Sequence, residues 1–276
     1  MNLERISAFS YQGTGGNPAG VAICDNMPTS EEMLNIAKEV GYSETAFLVK
    51  QNDTWRIRYF APEMEIPFCG HATIASGACL AEHYGLGEYQ LILNNGSISV
   101  NAEQSDSGDT LISLQSPPTW SKPAPETYVK RILEAFSIDS NQLDPELPIK
   151  LAHAGANHLI IAVAERSILA SMDYPFESVK KMMAEQDLIT INLVYKETTE
   201  LFHSRNAFAA GGVIEDPATG AATAALAGYL RDLQWPVSSF EVLQGFDMGS
   251  PSQLFVEFPN QTGASIKVSG STYQIK

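Results

Sequence analysis

The sequence contains little cysteine. Only three cysteines, Cys24, Cys69 and Cys79, occur among 276 residues, and none of them forms a CxxC pair. An odd and sparse set of this kind does not build a disulfide framework, and no histidine-rich spacing typical of a zinc site accompanies it. We therefore expect no disulfides, no bound metal and a reducing, cytoplasmic compartment.

Positive charge is also scarce. The chain has 17 lysines and arginines against 32 aspartates and glutamates, which gives a net charge of −15. A surface of this sign repels phosphate backbones, so nucleic-acid binding is disfavoured, and we interpret the charge as a contribution to solubility. An anionic ligand is still allowed, because a few inward-pointing amides outweigh a distant surface field. No uncharged run approaches membrane-spanning length, so we expect no membrane association.

Short strands and a few helices alternate along the chain. Thr29 and Glu32 form the pattern of a capping box that opens a helix, and Gly41 ends it. A strand follows at once, so Glu44 lies where a helix gives way to a strand. The glycine-rich segment 13–21 fits neither a phosphate loop nor a dinucleotide fingerprint, and it predicts a hairpin or a bulge.

A proline-rich stretch at 117–125 is the best candidate for a domain boundary. It divides the chain into a half at 1–118, with a central helix near 70–84, and a half at 119–276, with a central helix near 218–232. Whether the terminal strand crosses back to the first half is left open.

These two helices are unusually apolar, and they resemble each other. Gly70, Ala72, Thr73 and Ala75 recur as Gly220, Ala222, Thr223 and Ala225, each 150 residues later. The repeat indicates an internal duplication, and chance similarity between two helices of small residues is the alternative. A helix that is apolar all round must be buried all round. We therefore place each one in the middle of a curled sheet, which small residues allow to wrap closely.

The N-termini of both helices are candidates for an anion site. A helix start exposes unpaired amides and carries about half a positive elementary charge. Two such starts facing each other, at residues 70–71 and 220–221, would hold a carboxylate. The alternative is that Thr219, Asp216 and the region of Cys69 only cap their own helices.

Five motifs in order carry a resemblance to a known family. The chain resembles the phenazine-biosynthesis isomerase-like (PhzF-like) family at GNPA (16–19), SETAF (43–47), RYF (58–60), CGHAT (69–73) and EDPATG (215–220). This family shares its fold with diaminopimelate epimerase and proline racemase. The resemblance implies an α+β fold of two similar halves, each a curled, mostly antiparallel sheet or barrel around a central apolar helix. It further implies an active site in the cleft between the halves, no metal or organic cofactor, and a homodimer.

The resemblance also implies which residues act. Glu44 corresponds to the catalytic acid/base, and His71 and Asp216 correspond to further catalytic residues. His71 would bind the substrate or hold Asp216, and Asp216 would orient His71 or share a proton with it. The expected substrate is a small carboxylate.

Substrate binding is assigned in the same way. The backbone at Gly220 and Ala221 corresponds to the site for the substrate carboxylate, and the other binding candidates are Ser43, Cys69, Gly70 and His71. Family members usually carry serine where this chain has Ala221. The amide is kept but a hydroxyl donor is lost, so the substrate need not be the phenazine precursor.

The residue types separate the reactions that this fold supports. Epimerases of the fold use two opposed thiols, and here Cys69 has Asp216 as its counterpart, which disfavours stereoinversion. At a helix N-terminus Cys69 would have a lowered pKa, or it is a small apolar helix residue; both remain open. Burial is expected to raise the pKa of Glu44 and fit it to take and return a proton. We predict a cofactor-independent isomerase, with an amino-acid epimerase or racemase and a non-catalytic carboxylate-binding protein as alternatives.

Overall fold

The computed structural model describes residues 2–105, 108 and 110–276, and its fold is α+β, as predicted. The helices are α1 (Ser30–Val40), α2 (Gly70–Tyr84), α3 (Glu126–Ala135), α4 (Arg166–Ala170), α5 (Phe176–Glu185) and α6 (Gly220–Asp232). The strands are β1 (Asn2–Ser10), β2 (Asn17–Cys24), β3 (Thr45–Gln51), β4 (Thr54–Phe60), β5 (Glu65–Ile66), β6 (Gly87–Leu93), β7 (Gly96–Gln104), β8 (Thr110–Gln115), β9 (Thr119–Pro123), β10 (Lys150–Ala154), β11 (Asn157–Val163), β12 (Leu188–Lys196), β13 (Leu201–Ala207), β14 (Glu215–Asp216), β15 (Ser239–Gln244), β16 (Ser252–Glu257) and β17 (Lys267–Gln274).

The chain forms two compact units, one of Met1–Gln115 with Ser269–Lys276 and one of Ser116–Val268. The first unit therefore takes its last strand residues from the C-terminus. In the described part of the chain, no helix is both long enough and apolar enough to span a membrane.

In the first unit the strands pair into a closed ring. The order runs β1, β2, β3, β4, β6, β7, β8, and β17 then pairs with both β8 and β1. The pairs β2–β3 and β4–β6 are parallel, whereas β1–β2, β3–β4, β6–β7, β7–β8 and β1–β17 are antiparallel. Such closure removes free sheet edges and makes a barrel.

Helix α2 lies inside this barrel, where it contacts β1, β2, β3, β6, β7 and β8. Its residues from His71 to Gly77 are all buried, in agreement with the absence of a polar face. Gly77 shows why small residues are needed. A Cβ at this position would lie 2.6 Å from Ile112 Cγ2 and 2.7 Å from Val100 Cγ2, closer than real Cβ atoms approach. The barrel wall therefore contacts the helix backbone directly.

In the second unit the order β9, β10, β11, β12, β13, β15, β16 repeats the pattern of the first. The parallel pairs are β11–β12 and β13–β15, and a two-residue strand again precedes the apolar helix. Helix α6 contacts β9, β10, β11 and β16. A Cβ at its Gly228 would lie 2.8 Å from Thr119 Cβ, so the same close approach recurs. The repeated connectivity supports an internal duplication.

Outer helices cover the other side of each sheet. In the first unit α1 packs through Met33 and Ala37 against Ala22, Phe47 and Phe60. In the second unit α3, α4 and α5 supply Ile132, Leu169 and Val179 to a larger cluster with buried residues of β11 and β12. The strands beneath these helices, such as β2, β11 and β12, are thus buried on both faces, which explains their long apolar runs.

The proline-rich stretch at 117–125, expected to be a domain boundary, also contains a strand. Strand β9 lies within it and pairs antiparallel with β10 in the second unit. The strand forms because its prolines stand at the edges of the stretch: Pro117 and Pro118 precede it, and Pro123 is its last residue. At these positions a missing backbone N–H interrupts no internal rung of the ladder.

Candidate active site

Glu44 is held at the start of β3 by backbone contacts. The left-handed Gly41 (φ 73°) ends α1, and the chain then turns toward β2. There the Gly20 amide donates to the Glu44 carbonyl at 3.1 Å. A Cβ at Gly20 would lie 2.8 Å from Thr45 Oγ1, so only glycine allows the strands to approach so closely here. The Glu44 side chain is therefore carried by a fixed backbone.

The Glu44 carboxylate meets residues from the start of α2. Its Oε2 lies 3.1 Å from His71 Nε2, and the two side chains are only 16% and 9% exposed. Cys69 Sγ lies 3.4 Å from His71 Nδ1. The contact between Glu44 and His71 is an ion pair, and the buried Glu44 Oε2 receives no hydrogen bond of good distance and angle. A buried carboxylate oxygen left in this state is an acceptor available to a ligand.

Two further side chains surround His71. Asn17 Nδ2 lies 3.3 Å from His71 Nδ1, and Ser43 Oγ lies 3.5 Å from His71 Nε2. Asn17 is buried at the start of β2, whereas Ser43 is exposed. Asn17 belongs to one of the motifs, yet the sequence offered no role for it. Its amide stands beside the Nδ1 edge of the imidazole ring whose Nε2 faces Glu44.

Each member of the pair favours the charged form of the other. Burial raises the pKa of Glu44, but the contact with His71 and its charge, helped by Ser43 and Cys69, outweighs burial and leaves the pKa lowered. Burial lowers the pKa of His71, but Cys69 and Glu44 together raise it well above 6.5. The expectation that the pKa of Glu44 would be raised is therefore wrong. The reason is that a cationic partner stands beside the carboxylate.

Cys69 behaves differently from a reactive thiol. Burial raises its pKa, and the negative charge of Glu44 raises it further, while His71 acts in the opposite direction. The thiol is therefore protonated at neutral pH, and the expectation of a lowered pKa at a helix N-terminus is wrong. The favourable helix end does not compensate for the burial of Cys69, which is 8% exposed. The atoms of Glu44, Cys69 and His71 that can bind a metal all lie within 4.8 Å of one another.

The start of α2 has no capping side chain. Cys69 occupies the N-cap position without a capping hydrogen bond, and the first turn contains no acidic residue. A Cβ at Gly70 would meet no atom within 4 Å, so open space lies beside the backbone there. An uncapped helix start next to open space can accept an anion.

In the second unit Asp216 lies just before α6. Thr219 occupies the N-cap position of this helix without capping it, and its Oγ1 donates to Asp216 Oδ2 at 2.6 Å. Gln244, at the end of β15, donates from Nε2 to the Asp216 carbonyl at 2.7 Å and accepts from the Thr219 amide at 3.2 Å. Gly220 and Ala221 follow as the first helical residues, both partly exposed. Gln244 is fully buried, and no motif pointed to it.

The structure thus brings the predicted site residues together in two groups. Ser43, Glu44, Cys69, Gly70 and His71 lie together in the first unit, around the Glu44–His71 pair. Asp216, Gly220 and Ala221 lie together in the second unit, around the start of α6. A partnership between Asp216 and His71 stays a prediction.

Comparison with known proteins assigns the family. The model of the family described as phenazine biosynthesis-like protein (PhzC-PhzF) matches residues 6–275. The chain belongs to this family. The uncharacterized isomerase YddE of Escherichia coli K12 is 32% identical over 240 residues, covering 83% of the chain and 78% of the relative. The trans-2,3-dihydro-3-hydroxyanthranilate isomerase of Pseudomonas aeruginosa is 28% identical over 277 residues, covering 96% and 94%. These relatives are named isomerases, and the PhzF-family chain is an enzyme of this class.

Solved structures show the same fold. A PhzF-family protein of Bacillus anthracis superposes with a TM-score of 0.88 at 23% identity, covering 100% of the chain and 98% of that protein. A probable proline racemase of Agrobacterium radiobacter gives a TM-score of 0.66 at 11% identity, covering 99% and 90%. The predicted relationship to the epimerase and racemase folds is thereby confirmed at the level of the fold.

Proposed function

We propose that this PhzF-family enzyme is a cofactor-independent isomerase that moves a proton on a small carboxylate-bearing substrate, with Glu44 as the general acid/base. The observation that carries the proposal is the buried pair in which Glu44 Oε2 lies 3.1 Å from His71 Nε2. The lowered pKa of Glu44 keeps the carboxylate ionised at neutral pH, so the base is present without activation.

The proposed step uses one carboxyl group on one face of the substrate. Glu44 takes a proton from a carbon atom, and the electron pair of that C–H bond moves into the adjacent unsaturated or carboxylate-activated system. Glu44 is then neutral, and His71, 3.1 Å from its carboxyl group, stabilises the electron-rich intermediate. The protonated Glu44 returns its proton to a second carbon atom as the electron pair shifts there. At the end of the cycle Glu44 is ionised again, and the enzyme has neither gained nor lost a proton.

The uncapped start of α2 supports an acidic substrate. Its backbone amides and the open space beside Gly70 offer a place for a carboxylate, close in sequence to Cys69 and His71. We propose that Gly220 and Ala221, at the start of α6, contribute amides in the same way. Much of the rate enhancement would then come from fixed amides and from positioning.

The substrate of the Pseudomonas aeruginosa relative, trans-2,3-dihydro-3-hydroxyanthranilate, is a candidate for this chain because it carries a carboxylate next to an unsaturated ring. In this chain, however, Ala221 has no hydroxyl to bind the substrate. We therefore propose the substrate class rather than this compound. We also propose that the protein forms a homodimer and is located in the cytoplasm.

The two-thiol epimerase reaction is the nearest alternative, and the site disfavours it. Burial and the charge of Glu44 raise the pKa of Cys69, and the matching position of the second unit, the N-cap of α6, holds Thr219 and not the expected Asp216, so a second thiol is absent there. A protonated thiol is a poor base. A non-catalytic carboxylate-binding protein is the other alternative, and it differs from the isomerase in requiring no proton exchange.

The test is deuterium incorporation followed by NMR. The protein is incubated in heavy water with a panel of small cyclic and unsaturated carboxylic acids, including dihydro-hydroxyanthranilate, beside a Glu44→Gln variant. We expect at least one acid to exchange a carbon-bound proton, and we expect this exchange to disappear in Glu44→Gln. Ligands that bind without exchange would instead support the binding-protein alternative. Exchange that survives in Glu44→Gln would move the base to Cys69 or Asp216.

A further inference from the structure

A second group of glutamate, cysteine and histidine side chains lies in the first unit. Glu4 stands on β1, and Cys79 and His83 stand near the end of α2. The atoms of these three residues that can bind a metal all lie within 4.8 Å of one another. Cys79 is eight residues beyond His71, about 12 Å along the helix axis. The group is therefore distinct from the Glu44 site at the other end of α2.

The secondary structure holds the three side chains in place. Cys79 and His83 are four residues apart, so they lie on the same face of α2. Glu4 is fixed on β1, where His83 Nε2 approaches its Oε1 to 2.5 Å. Amides from two strands orient the Glu4 carboxylate, with Asn2 Nδ2 donating at 2.9 Å and Gln274 Nε2 at 3.4 Å. Such amides are the kind of outer contact that orients metal ligands in proteins.

We propose that Glu4, Cys79 and His83 form a binding site for a thiophilic divalent cation, of which Zn²⁺ and Cd²⁺ are the representatives. Sulfur, nitrogen and oxygen from these residue types form a ligand set that zinc takes. The strongly negative net charge of −15 also favours cations at the surface.

The charges of the site balance when a divalent cation binds. In the cation-free site Cys79 is a buried thiol beside the Glu4 carboxylate. The cation displaces the thiol proton to water and binds the thiolate. It takes Glu4 as a carboxylate and His83 as a neutral imidazole, so that two negative ligands match its two positive charges.

The geometry needs only a small adjustment. Tetrahedral ligands at zinc distances of about 2.0–2.2 Å stand about 3.4 Å apart, so Glu4 and His83 must separate by roughly 1 Å from their present contact. His83 is 39% exposed, which gives the cation a path of entry and leaves room for water as a fourth ligand. Cys79 is buried and the Glu4 side chain is 9% exposed, so these two residues provide the fixed side of the site.

The test is a cadmium titration that follows the ultraviolet charge-transfer band of a cadmium–thiolate bond. It is done in a Cys69→Ser background, which removes the thiol of the Glu44 site while Cys24 remains. We expect one cadmium ion per chain with a thiolate band. The band should disappear when Cys79→Ser is added, although Cys24 is still present.

His83→Gln and Glu4→Gln keep the test decisive if the buried Cys79→Ser change impairs folding. Each should weaken cadmium binding at least about tenfold, since each removes one ligand. His203→Gln is the matched control: His203 pairs with Glu197 at 2.6 Å in the second unit, so the change removes a similar histidine–glutamate pair. It should leave the affinity unchanged. The proposal is overturned if no thiolate band develops, if the band persists without Cys79, or if His83→Gln binds as tightly as His203→Gln.

Discussion

Replacing Arg205 by methionine is expected to destabilise the second unit much more than replacing Arg58 by methionine destabilises the first. The two arginines hold matching positions, because each pairs with a carboxylate on the two-residue strand before an apolar helix. Arg205 Nη2 donates to Glu215 at 2.6 Å, and Arg58 Nη2 donates to Glu65 at 2.5 Å. Glu215 directly precedes Asp216, so the Arg205 pair also fixes the backbone of a proposed site residue.

The difference in magnitude follows from burial. Arg205 and Glu215 are 11% and 4% exposed, and Arg205 Nη1 also donates to the Ala170 carbonyl at 2.8 Å. Removing one partner of a buried pair leaves an uncompensated charge and costs about 3–5 kcal/mol. The carboxylate of Glu65 is 26% exposed and keeps the Asn94 amide at 2.7 Å, so the loss of Arg58 costs about 1 kcal/mol.

The assay is urea unfolding and calorimetry of the two single variants and of Arg205→Met with Glu215→Met. A cost of about 3–5 kcal/mol corresponds to a fall in Tm of roughly 10 °C for a unit of this size. The double variant should regain much of the loss, because apolar side chains replace both charges. If the two units unfold in separate transitions, each transition is fitted on its own. Equal losses for Arg205→Met and Arg58→Met, or a double variant no more stable than Arg205→Met, would refute the reasoning.

Three further expectations follow from the same structure. The kcat/KM should have a broad plateau around neutral pH. Ionised Glu44 is lost only as the pH falls through its lowered pKa, and charged His71 is lost only as the pH rises through its raised pKa. A pH–rate profile in which kcat/KM changes between about pH 4.3 and 6.5 would contradict this. Cys69→Ala should change turnover less than about tenfold, since the thiol is protonated and has no assigned step; loss of turnover measured by the same exchange assay would favour the epimerase alternative. Gly77→Ala should destabilise the protein by about 1–3 kcal/mol, because the added Cβ would lie 2.6 Å from Ile112. This cost outweighs the better helix propensity of alanine. An unchanged midpoint of urea unfolding would show instead that the strands around the helix move to make room for the Cβ.

Elements with strong local signals could be predicted from the sequence. Helix α1 begins after Thr29 with the capping box complete and ends at Gly41, as its capping residues indicated. The burial of α2 could also be predicted, because a helix without a polar face has no stable place at a surface. Strand β10 and the five-residue helix α4 were not predicted, since segments this short carry too little periodicity to be distinguished from loops.

The contacts inside the site could be predicted only in part. Motifs indicated Glu44 and His71, but the roles of Asn17 and Gln244 depend on which strands pair, and that is decided by the whole fold. The directions of the pKa shifts were missed for the same reason. Nothing local to Glu44 reveals that a histidine 27 residues further along the chain lies 3.1 Å from its carboxylate and reverses the effect of burial.

The most direct test of the central claim is the rate of substrate proton exchange in heavy water for the wild type, Glu44→Gln and Cys69→Ala, measured side by side on the acid that exchanges fastest. General acid/base catalysis contributes about 10²–10⁴-fold, so Glu44→Gln should lose at least about 100-fold. Cys69→Ala should stay within about tenfold of the wild type. A Glu44→Gln protein that keeps more than about a tenth of the exchange rate, while Cys69→Ala loses it, would contradict the account.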